Sequence, residues 1–160
     1  VIAAINGIAA GGGFSLALAC DFRIMARSAT LRQAYTSNGL CIDGGGTFTL
    51  PRIVGLARAL EIAGFDAPIS SEKAFAWGLI TRVVDDGCAL EEALNMAHEL
   101  SSNSVNSFGW SKQLLTDSFN SAFESHIERE RLGLRSCAEH PDGREGLQAF
   151  VDKRRPVFNR

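Results

Sequence analysis

Val1-Ile2-Ala3-Ala4-Ile5-Asn6-Gly7-Ile8-Ala9-Ala10-Gly11-Gly12-Gly13-Phe14-Ser15-Leu16-Ala17-Leu18-Ala19-Cys20-Asp21 opens the chain with an apolar run, turns at Asn6-Gly7, and passes through three glycines into small residues of helical character. The order predicts a strand near Val1 to Ile5, a glycine turn over Asn6 to Gly13, and a helix from Phe14 to Cys20. Glycine lets a ligand oxygen approach the backbone closely. The N–H groups ahead of a helix lack intrahelical acceptors, and the helix dipole there favours negative charge. Gly11, Gly12 and Gly13 therefore mark a place to hold an anion, or in the plainer reading a tight turn with close helix packing.

Two phosphate motifs fail on spacing. A dinucleotide fingerprint would need a third glycine where Leu16 stands, and a P-loop would need lysine where Gly13 stands. Gly13-Phe14-Ser15-Leu16-Ala17 resembles the G-x-S-x-G nucleophile elbow, so a serine hydrolase is a rival reading, with Ser15 as nucleophile, Asp43 or Asp85 as acid and His126 or His140 as base. The elbow needs a strand leading directly into its serine, whereas the expected strand ends near Ile5.

With 160 residues, 46% hydrophobic composition and a net charge of −2, the chain is long enough for one core. Scattered Lys and Arg, apart from Lys153-Arg154-Arg155, argue against nucleic acid as a partner. Asp21 and Arg23 interrupt the only long apolar run, and no signal-peptide pattern opens the chain, so the expectation is a cytoplasmic protein without a membrane partner. Cys20, Cys41, Cys88 and Cys137 lie far apart, which predicts reduced packing cysteines and no metal site. His98, His126 and His140 read as members of solvated helix faces. The start at Val1, already inside an apolar strand, leads us to expect a fragment.

Further along, Asp21 to Ala26 predicts a second strand and Ala29 to Gln33 a short third. Phe48 to Val54 and Leu56 to Ala63 read as helices separated by Gly55. Ser70 and Glu72 sit in capping positions for another helix, with Gly78 as its stop and a strand to Asp85 after it. Beyond Ala89 the pattern is helical: Glu91 to Ser101, Val105 to Asp117, Ala122 to Ala138 and Gly143 to Lys153.

Four stretches in order, VIAAINGIAAGGGFSLALACD, SNGLCIDGGGTFTLPRIVG, ISSEKAFAWGLITRVVDD and REGLQAFVDKRRPVF, resemble the crotonase, or enoyl-CoA hydratase/isomerase, superfamily over essentially the whole chain. Within it, ARSA, the aspartate before GGGT, LPR and VVDD are most similar to 1,2-epoxyphenylacetyl-CoA isomerases and the related enoyl-CoA and dienoyl-CoA isomerases. The resemblance implies an α/β fold: the C-terminal part of a ββα spiral core over 1–88, and a helical trimerisation and oligomerisation region over 89–160. It implies an acyl-CoA thioester substrate, a homotrimer or hexamer, and no cofactor beyond the coenzyme A carried by the substrate.

The implied chemistry runs through a thioester enolate, whose oxygen preorganised N–H donors stabilise. By position, Gly12 corresponds to one of the family's two oxyanion donors, and the resemblance puts the other ahead of Val1. Losing such a donor costs roughly 3–4 kcal/mol of transition-state stabilisation. The two glutamates of the family's hydratases are replaced here by Ser15 and Tyr35, and Asp43 stands where its isomerases carry a proton-shuttling aspartate. One carboxylate suffices to take a proton from one carbon and return it to another, which favours isomerase over hydratase. Asp43 also reads as an ordinary helix N-cap. Gly11, Gly13, Ser15, Tyr35 and Gly39 are the expected substrate contacts; Ser15 either hydrogen-bonds substrate or Asp43 or packs on its helix, and Tyr35 closes the pocket wall. Lys153 is the candidate for the coenzyme A phosphates, against a plain solvated helix end. A non-catalytic oligomerising protein is the rival of a different class.

Overall fold

In the computed structural model, which describes residues 1–159, the opening stretch forms two strands, not one. β1 (Ile2–Ile5) turns at Asn6-Gly7 into β2 (Ile8–Ala10), and α1 (Gly12–Ala19) follows. β3 (Phe22–Ala26) and β4 (Thr30–Arg32) repeat the strand pair, then come a 3-10 turn at Thr36–Asn38, α2 (Gly46–Phe65), β5 (Ile69–Ser70), α3 (Ser71–Ala76) and β6 (Arg82–Val84). β1 pairs in parallel with β3, and β3 with β6; β2 pairs in parallel with β4, whose other edge takes β5 antiparallel. Each ββ pair thus lays its first strand on one sheet and its second on the other. This is a spiral in which successive turns bury one another's apolar faces.

The expected glycine turn over Asn6 to Gly13 is therefore corrected, since β2 occupies its middle. Three residues, two of them alanine, carry too little local pattern to announce a strand. Their partner, Thr30–Arg32, lies 22 residues downstream in a parallel ladder that sets Ile8 opposite Thr30. The other expectations hold more closely. α2 spans both expected helices, with Gly55 at φ 77° and ψ 160° breaking the helical backbone between them. Ser70 Oγ accepts from the Lys73 N–H at 3.3 Å at the start of α3, and Gly78 at φ 73° ends it.

The chain divides into two compact units, Val1–Met96 and the residues from Ala97 on, with the division inside α4 (Ala89–Ser101). The first unit has its core in Phe14, Ile24, Met25, Leu31, Leu50 and Leu79, all at most 1% exposed. Burying each of these side chains contributes about 1.5–3 kcal/mol. The second unit consists of the end of α4 with α5 (Val105–Asp117), α6 (Phe123–Glu139) and α7 (Pro141–Val151). There Gly133 of α6 sits against Trp110 and Leu114 of α5, and the α6–α7 corner is a single residue, His140, whose Nδ1 accepts from the Asp142 N–H at 3.2 Å.

His140 is thus a capping residue, and His126 is half-buried with Nδ1 unpartnered among the described residues, so neither merely decorates a solvated face. The four cysteines are unpaired, yet Cys41 and Cys88 are exposed where packing was expected. Among the described residues no group of His, Cys, Asp and Glu is arranged to hold a metal ion, and no helix is long and apolar enough to cross a membrane.

Asp66, the αL residue that ends α2, ties that helix to the segment after β4. Its Oδ1 accepts from the Ala34 N–H at 2.5 Å, its Oδ2 from the Ser37 N–H at 3.0 Å and the Ser37 hydroxyl at 2.5 Å, and its carbonyl from Arg32 Nε at 3.0 Å. Burial opposes the charge of this carboxylate, but the Ser37 and Ala34 hydrogen bonds and the Arg32 guanidinium together hold it below the usual carboxylate range.

Two outcomes are expected. Asp66→Asn, which keeps an αL-tolerant residue and removes the charge, lowers stability in denaturant titration by about 1–3 kcal/mol at neutral pH. Because the folded carboxyl titrates below its unfolded value of about 3.9, the parent's advantage is complete above that pH and shrinks as the pH falls through the folded value, where the two unfolding curves converge. Gly143→Ala places a β-carbon 1.9 Å from the Cys137 carbonyl oxygen, so thermal unfolding of this variant reports a loss of about 3 kcal/mol from the helical unit.

Candidate active site

The three glycines divide their labour. Gly11, at φ 56° and ψ −126°, turns the chain from β2 into α1, and its N–H is already spent on the Arg32 carbonyl at 3.1 Å. Its own carbonyl accepts from Phe14 and Ser15 at 3.0 and 3.1 Å, the first bonds of the helix. The N–H groups of Gly12 and Gly13 therefore stand ahead of the helical ladder, on exposed residues at its positive end. An anion at this corner meets two donors, not three. Gly13 also borders an apolar groove of about 390 Å³ lined by Ala3, Ile5, Ile8, Leu16 and Cys20.

Ser15 is 1% exposed, and its hydroxyl donates to the Asp43 carbonyl at 2.9 Å. The same carbonyl accepts from the Gly46 N–H at 3.0 Å. A β-carbon on Gly46 would lie 2.5 Å from Ser15 Oγ and 2.7 Å from Ile42 Cγ2, so only glycine lets α1 and the start of α2 approach this closely. Of the readings of Ser15, the structure shows both a hydrogen bond to Asp43, made to its backbone, and close packing, against Gly44 and Gly46.

Asp43 does not cap α2. The cap position is Gly45, with no side-chain hydrogen bond to the helix, and the positive φ of Gly44 and Gly45 lifts the aspartate out of capping reach. Its carboxylate instead accepts at Oδ1 from the Tyr35 hydroxyl, while Oδ2 takes no hydrogen bond among the described residues and the residue is exposed. Tyr35 is 8% exposed, and its hydroxyl would lie 3.9–4.0 Å from β-carbons built on Gly11 and Gly12. The hydrogen bond to Asp43 pushes the phenol above the ordinary tyrosine value, helped by burial and by the Asp43 charge and opposed by the Ser15 hydroxyl.

Gly11, Gly12, Ser15, Tyr35 and Asp43 thus meet at one corner of the first unit. Gly39 closes the 3-10 turn between Tyr35 and Asp43, exposed and at φ 71°. Lys153 belongs to the second unit, just past the end of α7 and at φ 54°, while the adjacent Arg154 is engaged with both carboxylate oxygens of Glu145. His98, His126 and His140 also lie in the second unit, so the first holds no histidine to activate Ser15. β2 does lead into α1 more directly than expected, but it delivers Gly11, not the buried Ser15, to the turn.

Three contributors carry little signal in the sequence. Gly46 is one more member of a glycine run, and the contacts of Asp66 join residues some thirty positions apart. Gln33, 1% exposed with neither amide atom partnered among the described residues, announces itself only through its alternation with the inward-facing Leu31 and Tyr35.

The model of the family described as enoyl-CoA hydratase/isomerase matches residues 1–160. The 1,2-epoxyphenylacetyl-CoA isomerase of Escherichia coli (strain K12) is 39% identical over 158 residues, covering 99% of this chain and 60% of the relative. A probable enoyl-CoA hydratase of Bacillus subtilis (strain 168) is 36% identical over 159 residues, 99% of this chain and 62% of its own length. The crystal structure of an enoyl-CoA hydratase from Polaromonas sp. JS666 superposes with a TM-score of 0.93 at 38% identity, over 99% of this chain and 62% of the other. The chain thus spans about 60% of the length of the curated relatives it matches, in the fold that the ββα repeat describes. With its glycine corner, its single carboxylate and its spiral of paired strands, the chain belongs to the enoyl-CoA hydratase/isomerase family.

Proposed function

We propose that this chain acts as an acyl-CoA isomerase, which shifts a double bond or isomerises a ring-epoxide CoA thioester through an enolate, with Asp43 as the proton shuttle. The observation that carries the reading is the single carboxylate at the glycine corner: Asp43 offers an unengaged Oδ2, and its immediate neighbours, Ser15 and Tyr35, hold no second carboxyl. Hydration by two carboxylates needs one to activate water and another to supply the proton, whereas isomerisation needs one group that works in both directions.

In the proposed reaction Asp43 Oδ2 takes a proton from the α carbon of a 3-enoyl thioester. The C–H electrons delocalise to form a dienolate whose negative charge rests on the thioester oxygen, and that oxygen accepts a hydrogen bond from the Gly12 N–H. The same carboxylic acid then returns the proton at the γ carbon, the charge flows back, and the double bond has moved into conjugation. A homotrimer or hexamer in the cytoplasm belongs to the same reading. The exposed Phe123 and Leu134 of α6 and Leu147 and Phe150 of α7 support the assembly. Lys153 is retained as the group for a coenzyme A phosphate, supported by its exposure.

An ultraviolet assay of conjugation on 3-enoyl-CoA tests the reading. Asp43→Asn is expected to lower kcat by about 10²–10⁴-fold while circular dichroism stays unchanged. Turnover that survives Asp43→Asn, or a hydrated product in place of the conjugated one, overturns it.

A further inference from the structure

A carboxylate on an exposed turn rotates about its last torsion, a broad and two-fold well in which the two oxygens exchange places. At Asp43 one hydrogen bond to the carboxylate opposes that exchange, and the backbone on both sides of it is held in place. Its backbone is pinned by the Ser15 hydroxyl at 2.9 Å and the Gly46 N–H at 3.0 Å. Across from it stands Tyr35, the one tyrosine of the chain, whose backbone is pinned in turn. Asp66 grips the residues either side of it through the Ala34 and Ser37 N–H groups, and the Tyr35 carbonyl accepts from Asn38 and Leu40 at 2.9 and 3.0 Å. Between these two fixed stretches of backbone runs one side-chain hydrogen bond, Tyr35 hydroxyl to Asp43 Oδ1.

We infer that Tyr35 is a positioning residue for Asp43: its buried phenol occupies Oδ1, so that Oδ2 alone faces the substrate and the same oxygen takes and returns the proton. The inference rests on the isomerase reading above and adds a residue to it. A phenol suits the task because it is a neutral donor with one hydroxyl to give. It binds the carboxylate without neutralising it as an ammonium or guanidinium group would. The chain of contacts runs from Asp66 through the Ala34–Ser37 turn to Tyr35 and then to Asp43, with α1 closing it from the other side through Ser15.

Because no other tyrosine is present, the tyrosinate absorbance of the folded chain reports this one contact. In a pH titration of the parent, the band is expected to appear only above about pH 10, the ordinary tyrosine midpoint, and in Asp43→Ala the midpoint falls back toward that value. In the enoyl-CoA assay, Tyr35→Phe removes a single oxygen and is expected to lower kcat by about 10–100-fold with KM held within about twofold, the mark of misaligned chemistry and not of lost binding. In an Asp43→Asn background the same change has no further effect.

A parent midpoint in the ordinary range that Asp43→Ala does not move overturns the inference. So does an unchanged kcat in Tyr35→Phe, or an equal loss from Tyr35→Phe with and without the Asp43 carboxylate. Failure of the isomerase reading looks different: turnover then survives Asp43→Asn or is absent from the parent, and the inference falls with it whatever the titration reads.

Discussion

The Asp43 carbonyl oxygen accepts two hydrogen bonds, one from the Ser15 hydroxyl on α1 and one from the Gly46 N–H at the start of α2. Through it the two helices that frame the glycine corner are locked together, and the approach is so close that Gly46 has no room for a side chain and a β-carbon on Gly44 would crowd Ser15 Cβ at 3.2 Å. Move this oxygen and the carboxylate four bonds away moves with it. The same contact buries Ser15 completely, which turns a residue resembling a nucleophile into a strut.

Around that contact the site is assembled from two kinds of support with different physics. The sheets provide direction: parallel pairing of β2 with β4 brings Ala10 opposite Arg32, so that Gly11 and Tyr35, both just beyond the strand ends, come side by side. Charge provides the fine placement. Asp66 is buried and ionised, which costs desolvation energy, but Ala34, Ser37 and Arg32 return enough to keep its charge. An apolar residue there would leave the two amides of the turn without acceptors. The candidate base, by contrast, stays exposed on its glycine turn, where a carboxylate has access to a proton on a substrate carbon.

Much of this is legible in the amino-acid sequence. Helices announced themselves by apolar period and punctuation: Ser70 and Gly78 bound α3 as their residue types require, and α5 begins and ends where the pattern places it. The glycine corner and Asp43 were also visible, because glycine and a lone carboxylate carry meaning at short range. Illegible were β2, too short for a periodic signal, and the capping role assigned to Asp43, a local rule overridden when Gly44 and Gly45 adopt positive φ. Gly143 is of the same kind, since its need for an absent side chain comes from a carbonyl in the preceding helix.

The division follows from the range of the forces. Residue type and spacing act over a few positions, and they decided the order of strands and helices, the anion-favouring glycine corner and the presence of one carboxylate beside it. Which donors of the three glycines are free, which oxygen of Asp43 is engaged, and whether Ser15 attacks or merely supports depend on contacts between residues 8 to 28 positions apart. Those contacts exist only after the strands have paired and the helices have closed on them, because a hydrogen bond is made or lost within a few tenths of an ångström and no local pattern places two distant segments that accurately.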